Sequence, residues 1–297
     1  GVPNYVEVMT WFGFLLRECV RPYQRFKYDK KRIQSLLFVN QMSARGSRET
    51  DTERHYISNG NLIYSDKIAK FAVKCEEESD HAVTSRLGQI YTDLYIDEFQ
   101  DLAGWDLEVI EMLLRSGLRI TLVGDPRQHI YSTHSSRKNN QYLGIKLLDL
   151  LSIWNKNQLC KLEPMSSTYR CNELICEFAN KLWPGMEPME SLRNGSTEHD
   201  GVFLVSTDCV EQYIQRFKPQ VLRHDKRSNA YGSIALNFGQ SKGLQFDHIL
   251  ISPTKSIKEY LADGNVDHIK KSREKLHVAI TRARHSVAFV YDESSTI

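Results

Sequence analysis

Leu94-Tyr95-Ile96-Asp97-Glu98-Phe99-Gln100-Asp101 is an apolar run that ends in a cluster of acids. Strand-forming residues deliver two adjacent carboxylates to the end of a strand, the edge of an open α/β sheet at which ligands bind. Neighbours on a strand face opposite ways, but just past its end the chain turns and both acids can face one ligand. In a nucleoside triphosphatase the first acid joins the magnesium shell and the second polarises the attacking water. The bland alternative is a pair of exposed acids capping the next helix.

Outward from that stretch the pattern alternates. An amphipathic helix is expected over about 105–115 and a second strand over 120–123, ending in Gly124-Asp125-Pro126. A helix over 143–154 and a strand over 160–162 follow. Upstream, residues 5–20 read as a short strand running into a helix, 21–90 as polar and irregular with a loop near 46–53, and 66–75 as helical. Beyond 165 a helix over 172–182 stops at Pro184-Gly185, and strands are expected at 202–205, 233–237, 248–252 and 287–291, with a helix over 273–281. This is an α/β pattern in two units. The first spans 1–160, with a small insertion at about 21–88, and the second spans 161–297.

Composition sets the bounds. Hydrophobic residues make up 41% and charged residues 26%, enough for two modest cores. No apolar run approaches the roughly 20 residues of a membrane span, so no membrane partner is expected. Six scattered cysteines without a CxxC pair point to buried free thiols in a reducing cytoplasm. A net charge of +2 is small for a sequence-independent nucleic-acid binder, yet does not exclude a local basic groove. The clearest cluster is Arg21, Arg25, Lys27, Lys30, Lys31 and Arg32, interleaved with Tyr23, Phe26 and Tyr28. Cations beside aromatics suit a phosphate backbone with stacked bases; a solvated loop over packed aromatics fits equally. Lys30, Lys31 and Arg32 are the candidate contacts.

Asp97-Glu98-Phe99-Gln100-Asp101 resembles motif II (Walker B) of UvrD/Rep superfamily 1 helicases, whose usual form is DExQD. Four more stretches follow in family order. Residues 122–131, with Gly124-Asp125-Pro126-Arg127-Gln128, are similar to motif III, and Thr168-Tyr169-Arg170 to motif IV. Residues 241–247, Ser-Lys-Gly-Leu-Gln-Phe-Asp, are similar to motif V, and Val278-Ala279-Ile280-Thr281-Arg282-Ala283-Arg284 to motif VI. Val8-Met9-Thr10-Trp11-Phe12 resembles motif Ib.

The resemblance implies two RecA-like domains with mainly parallel sheets and a nucleotide cleft between them. It implies ATP and Mg2+, with Asp97 holding the metal, Glu98 polarising water and Gln128 sensing the terminal phosphate. Tyr169 would stack on adenine, Arg170 would reach the γ-phosphate and Arg282 would be an arginine finger. Guanidinium forks suit phosphate oxygens. Gly243, Gln245 and Arg284 fall at nucleotide-binding positions, with Gln245 where the family has a ribose-contacting glutamate, and with a helix-surface role for Arg284 as the alternative. Thr10, Trp11 and Tyr131 fall at strand-facing positions of a DNA partner, expected single-stranded.

Departures matter as much. No G-x-x-x-x-G-K-[ST] loop occurs; it is expected upstream of Gly1, or else degenerate or supplied by another chain. Without it this chain alone is expected to be inactive. Residues 171–240 leave no room for the large accessory insertion of full helicases. Ser132, Thr133, His134 and Ser135 stand where the family has Arg-Trp-Arg-Gly, and Gly239 replaces the motif V histidine. Threonine offers no π face for a base. The expected function is an ATP-hydrolysing helicase or translocase on single-stranded or duplex DNA, within a repair or defence assembly that supplies a protein partner. The alternatives are a nucleotide-gated interaction switch and a non-hydrolysing scaffold.

Overall fold

The strand Asp93–Ile96 lies parallel to Arg119–Leu122, with Ile96 opposite Leu122. The helix Trp105–Arg115 connects them, as its spacing predicts. The ladder runs on past both ends: Val123 N–H donates to the Ile96 carbonyl at 2.8 Å and Phe99 N–H to the Val123 carbonyl at 3.0 Å. These bonds lock the segment that carries Asp97 and Glu98 against the start of the Gly124 turn. Ile96, Phe99, Leu102, Leu107 and Ile110 bury against Leu147, Leu150 and Trp154 of the helix Leu147–Lys156. The computed structural model describes residues 3–133 and 136–292; His134 and Ser135 lie outside the described residues.

The chain forms two compact units, Gly1–Leu162 and Glu163–Ile297. Within the first, the stretch read as irregular holds regular structure. Ser35–Leu37 runs parallel to Leu62–Tyr64, which pairs antiparallel with Ile57–Ser58. Helices Ile68–Glu78 and Ala82–Ile90 close over a core that includes Leu15, Ile33, Tyr56 and Phe71. The expected strand before residue 11 does not form. Thr10 instead caps a helix at Trp11–Phe14, which widens into a π-type turn over Leu15–Val20. Residues 160–162 are not a strand either: Leu162 is 41% exposed, and among the described residues no strand pairs with this stretch.

The second unit is built on a five-stranded, wholly parallel sheet in the order 235–237, 220–223, 246–252, 283–290, 201–205. Ile249, Leu250, Ile251, Val287, Ala288 and Phe289 are fully buried, because a parallel sheet covered on both faces demands continuous apolar runs. Gln220–Arg223 escapes a reading by hydropathy, since only Val221 and Leu222 are apolar. The fold is thus mixed α/β with mainly parallel sheets. All six cysteines are free; Cys209 is exposed and Cys160 half-buried, contrary to the expectation of burial, while the other four are buried. Among the described residues no helix is long and apolar enough to cross a membrane.

Candidate functional site

The acidic edge is built by a turn. Glu98 takes a left-handed backbone conformation, φ +52°, a region uncommon outside glycine that occurs where surroundings over-determine the chain. Asp97 and Glu98 are both exposed. Glu98 N–H donates to Asp97 Oδ1 at 2.8 Å. Behind them Gln100 is 2% exposed; its Nε2 donates to Glu98 Oε2, and its Oε1 accepts the Asp125 backbone N–H at 3.0 Å. His129 Nδ1 lies 2.6 Å from the Gln100 carbonyl.

The Gly124-Asp125-Pro126 turn meets this pair closely. A Cβ on Gly124 would sit 2.5 Å from Gln100 Oε1, so any other residue there forces the Gln100 amide to shift. Asp125 caps the short helix Pro126–Gln128, accepting from Arg127 N–H at 3.0 Å and Arg127 Nε at 2.9 Å on Oδ1, and from Gln128 Nε2 at 3.1 Å on Oδ2. Aspartate before a proline at the first helical position is a cap signal that the sequence carries openly. Asp97, Glu98 and Gln128 therefore belong to one local arrangement.

Around it a buried carboxylate joins distant segments. Asp106 is fully buried. It accepts from Trp11 Nε1 at 2.8 Å through Oδ1 and from the Thr133 hydroxyl through Oδ2, while Thr133 Oγ1 accepts Ala103 N–H at 3.1 Å. Trp11 also stacks on Phe14, with ring centroids 5.8 Å apart. The indole is thus tied inward by its polar end. Thr10 is exposed, with Oγ1 accepting Gly13 N–H at 3.1 Å, and Tyr131 is 52% exposed.

In the second unit Arg170 and Arg282 meet at one helix end. Arg170 Nη1 donates to the Thr281 carbonyl at 3.2 Å; Arg282 donates from Nε to the Val278 carbonyl at 3.2 Å and from Nη2 to Thr281 Oγ1 at 3.4 Å. Both cations sit at the C-terminus of the helix Arg273–Ile280, where unsatisfied carbonyls and the negative end of the dipole favour them. Arg282 is 3% exposed. Arg193 braces the pair by donating to the Arg170 carbonyl at 2.9 Å. Tyr169 beside them is 76% exposed, leaving its ring open for stacking. Gly243 turns with φ +79° and Gln245 is exposed. Arg284 lies on the strand Ala283–Val290, not on a helix surface, and pairs with exposed Asp247 at 3.2 Å.

The basic cluster is partly neutralised. Lys30 pairs with Glu53 at 2.7 Å and Lys27 with Glu78 at 2.7 Å. The hydrogen bond between Lys30 and Glu53 holds the ammonium above its ordinary range and the carboxyl below it. Lys31 and Arg32 are exposed. Among the described residues no group of three or more His, Cys, Asp or Glu side chains could hold a metal. Mg2+ needs no such cage; one or two carboxylates with phosphate oxygens and waters suffice, and exposed Asp97 fits that demand. A reading from sequence missed Gln100, Asp106 and Arg193. Gln100 stood inside motif II without a role, and nothing in the sequence pointed to the other two.

The sheets define a mainly parallel α/β chain. Residues 24–143 match the family described as UvrD/REP helicase N-terminal domain. Over 186 residues it is 29% identical to the ATP-dependent DNA helicase Rep of Buchnera aphidicola subsp. Acyrthosiphon pisum (strain APS), covering 61% of this chain and 26% of that protein. The chain spans about a quarter of the length of that curated relative. Among solved structures, the PRRSV helicase is 23% identical with a TM-score of 0.39, covering 68% of this chain and 35% of its own. The Arterivirus nonstructural protein 10 helicase in complex with DNA is 16% identical with a TM-score of 0.41, covering 69% and 41%.

Proposed function

We propose that this chain is the core of an ATP-hydrolysing, DNA-directed superfamily 1 enzyme. The observation that carries the proposal is the acidic edge, where a left-handed turn presents Asp97 and Glu98 side by side while Gln100 and Asp125 bind that turn to Gln128. Asp97 would hold Mg2+, which supplies charge neutralisation on the phosphates. Glu98 orients the attacking water, and Gln128 responds to the terminal phosphate. Arg170 and Arg282, gathered at Thr281, supply permanent positive charge for the transferring group. Tyr169 stacks on the base; Gly243 and Gln245 line the sugar side, and Arg284, paired with Asp247 at 3.2 Å, adds a cation on the nucleotide side. No phosphate-cradling glycine loop is among these residues, so they account for the metal and hydrolytic end of the nucleotide only.

On the strand side, Thr10, Tyr131, Lys30, Lys31 and Arg32 are the exposed contacts, and Trp11 anchors the segment that carries Thr10. A second reading, a nucleotide-gated switch that never tracks along DNA, is favoured by one observation: Thr133 stands where a base-stacking tryptophan would be and turns its hydroxyl inward to Asp106. Phosphate release by the natural full-length protein, with and without single-stranded DNA, decides between them. DNA-stimulated hydrolysis that falls by about 100-fold or more in Glu98→Gln is the expected result. Hydrolysis indifferent to DNA favours the switch, and full turnover in Glu98→Gln overturns both.

A further inference from the structure

We infer that Arg193 is a positioning residue for Arg170, oriented in turn by a neutral His285 that Asp200 holds in a single tautomer. The catalytic consequence rests on the hydrolysis reading above; the hydrogen-bonded line itself rests on geometry. Arg193 Nη1 donates to the Arg170 carbonyl at 2.9 Å, and Nη2 of the same fork lies 3.0 Å from His285 Nε2. A guanidinium only donates, so Nε2 is the accepting nitrogen and carries no proton. The ring proton is then on Nδ1, 3.2 Å from Asp200 Oδ1, which accepts it. An imidazolium has no acceptor to offer, so the line exists only while the ring is neutral. Thr197 steadies the far end, donating from its hydroxyl to Asp200 Oδ1 at 2.6 Å and from its backbone N–H to Oδ2 at 3.1 Å.

The near end is held as firmly. Arg170 N–H donates to Thr168 Oγ1 at 3.2 Å, and its Nη1 donates to the Thr281 carbonyl at 3.2 Å. With Arg193 on its carbonyl, Arg170 is fixed on both sides of its Cα and at its guanidinium. The two segments already run side by side: Ser167–Thr168 pairs in parallel with Glu190–Ser191, and Leu192 N–H donates to the Thr168 carbonyl at 2.8 Å. Ser191 Oγ donates to the Cys171 carbonyl at 2.8 Å and accepts Arg193 N–H at 3.2 Å. Asn172, which caps the helix Glu173–Lys181, donates to the His285 carbonyl at 2.6 Å and joins the strand Ala283–Val290 to the same place. Three stretches far apart in sequence thus converge on one arginine. A planar fork that meets two acceptors at once is what arginine supplies and lysine does not.

The line and its consequence are tested apart. The first test needs no hydrolysis: long-range proton–nitrogen NMR spectra of the natural full-length protein, labelled on its histidine nitrogens, at about pH 8, above the ordinary imidazole range. Signals that vanish in His285→Gln belong to His285, and they should show a proton on Nδ1 and none on Nε2. In Arg193→Met the Nε2–H form should appear. A proton on Nε2 in the wild type, or a spectrum unmoved by Arg193→Met, overturns the line. The second test is steady-state ATP hydrolysis by the same protein. Arg193→Met should lower kcat roughly tenfold, the scale of one lost hydrogen bond, while KM for ATP holds within about twofold. An unchanged kcat overturns the positioning role, whatever KM does. If Arg193→Met does not fold, two variants at 285 carry the test. His285→Leu removes the acceptor and should lower kcat; His285→Gln, whose amide oxygen can accept, should restore most of it. Equal kcat in that pair overturns the role. Wild-type protein that does not hydrolyse ATP, yet carries the Nδ1–H tautomer that Arg193→Met disturbs, would sink the hydrolysis reading and the catalytic role with it, and leave the line standing.

Discussion

Asp106 shows how much rests on one side chain. An acid in the first turn of a helix ordinarily faces water and complements the dipole, and nothing in the sequence marks this one as different. The structure buries it completely and points at it the indole N–H of Trp11 and the hydroxyl of Thr133. Asp106→Ala leaves two half-buried donors without this acceptor, and the cost should be about 1–3 kcal/mol in urea denaturation. Trp11→Phe removes one donor and keeps most of the packing, so about 1 kcal/mol is expected. A loss below about 0.5 kcal/mol for Asp106→Ala would mean that the carboxylate does not hold these segments together. Gly124→Ala is the matching steric case. Its Cβ meets an oxygen at 2.5 Å and two backbone nitrogens at 3.2 Å, an overpacking of about 1–3 kcal/mol; an unchanged urea midpoint would show that the turn relaxes freely. Asp97 and Glu98 were legible because an apolar strand stops abruptly at them. Gln100 was legible as a motif letter only, since its role depends on Asp125, which lies 25 residues away.

Elements divide along the same line. Strands buried on both faces, such as Phe246–Ser252 and Ala283–Val290, announce themselves by composition. Ser35–Leu37, with two of three residues exposed, and Ile57–Ser58 carry no such signal and form only because Leu62–Tyr64 lies between them. Residues 160–162 show the converse: two apolar letters around a lysine do not make a strand where the described residues bring no strand beside them. Packing between elements also creates a pH dependence in the second unit. His199 is stacked between Phe203 and Phe217, at 4.2 and 3.7 Å between ring centroids, and His248 lies 5.8 Å from it. Burial lowers the pKa of both; His248 and Arg216 push His199 the same way and His285 pushes His248, while Asp200 opposes at both and Asp247 at His248. Tyr213 OH, 2.8 Å from His199 Nε2, and His285, bonded to Asp200, complete the surroundings. A histidine whose folded pKa lies below its unfolded value of about 6.5 binds its proton first in the unfolded chain. Stability is therefore intact above about pH 7 and declines as pH falls below about 6.5. His268, raised by exposed Asp263, acts in the opposite sense but is solvent-screened. The urea midpoint should drop between pH 7.5 and pH 5.5, and His199→Gln should flatten that drop. Equal slopes in both proteins would remove the stacked histidine from the account.

Across the whole molecule the charge is nearly balanced, +2 over 297 residues, so any affinity for a phosphate backbone must come from local arrangement and not from the global field. The cluster at Lys30, Lys31 and Arg32 is the strongest candidate in sequence, and the structure adds what sequence could not: Glu53, from 23 residues further on, already occupies Lys30. A lysine so paired must exchange one partner for another when a phosphate arrives, which weakens its net contribution. Neutralising all three residues to glutamine should weaken single-stranded DNA binding and lower the slope of log affinity against log salt, by about 0.7 for each true contact. Glu53→Gln should act the other way, tightening binding and steepening the slope, because it releases Lys30 without adding a cation. Fluorescence titrations over a range of salt concentrations read both effects. Opposite signs for the two variants identify a phosphate-facing surface, whereas a slope unmoved by either leaves the cluster as a solvated loop whose lysines serve only their own acids.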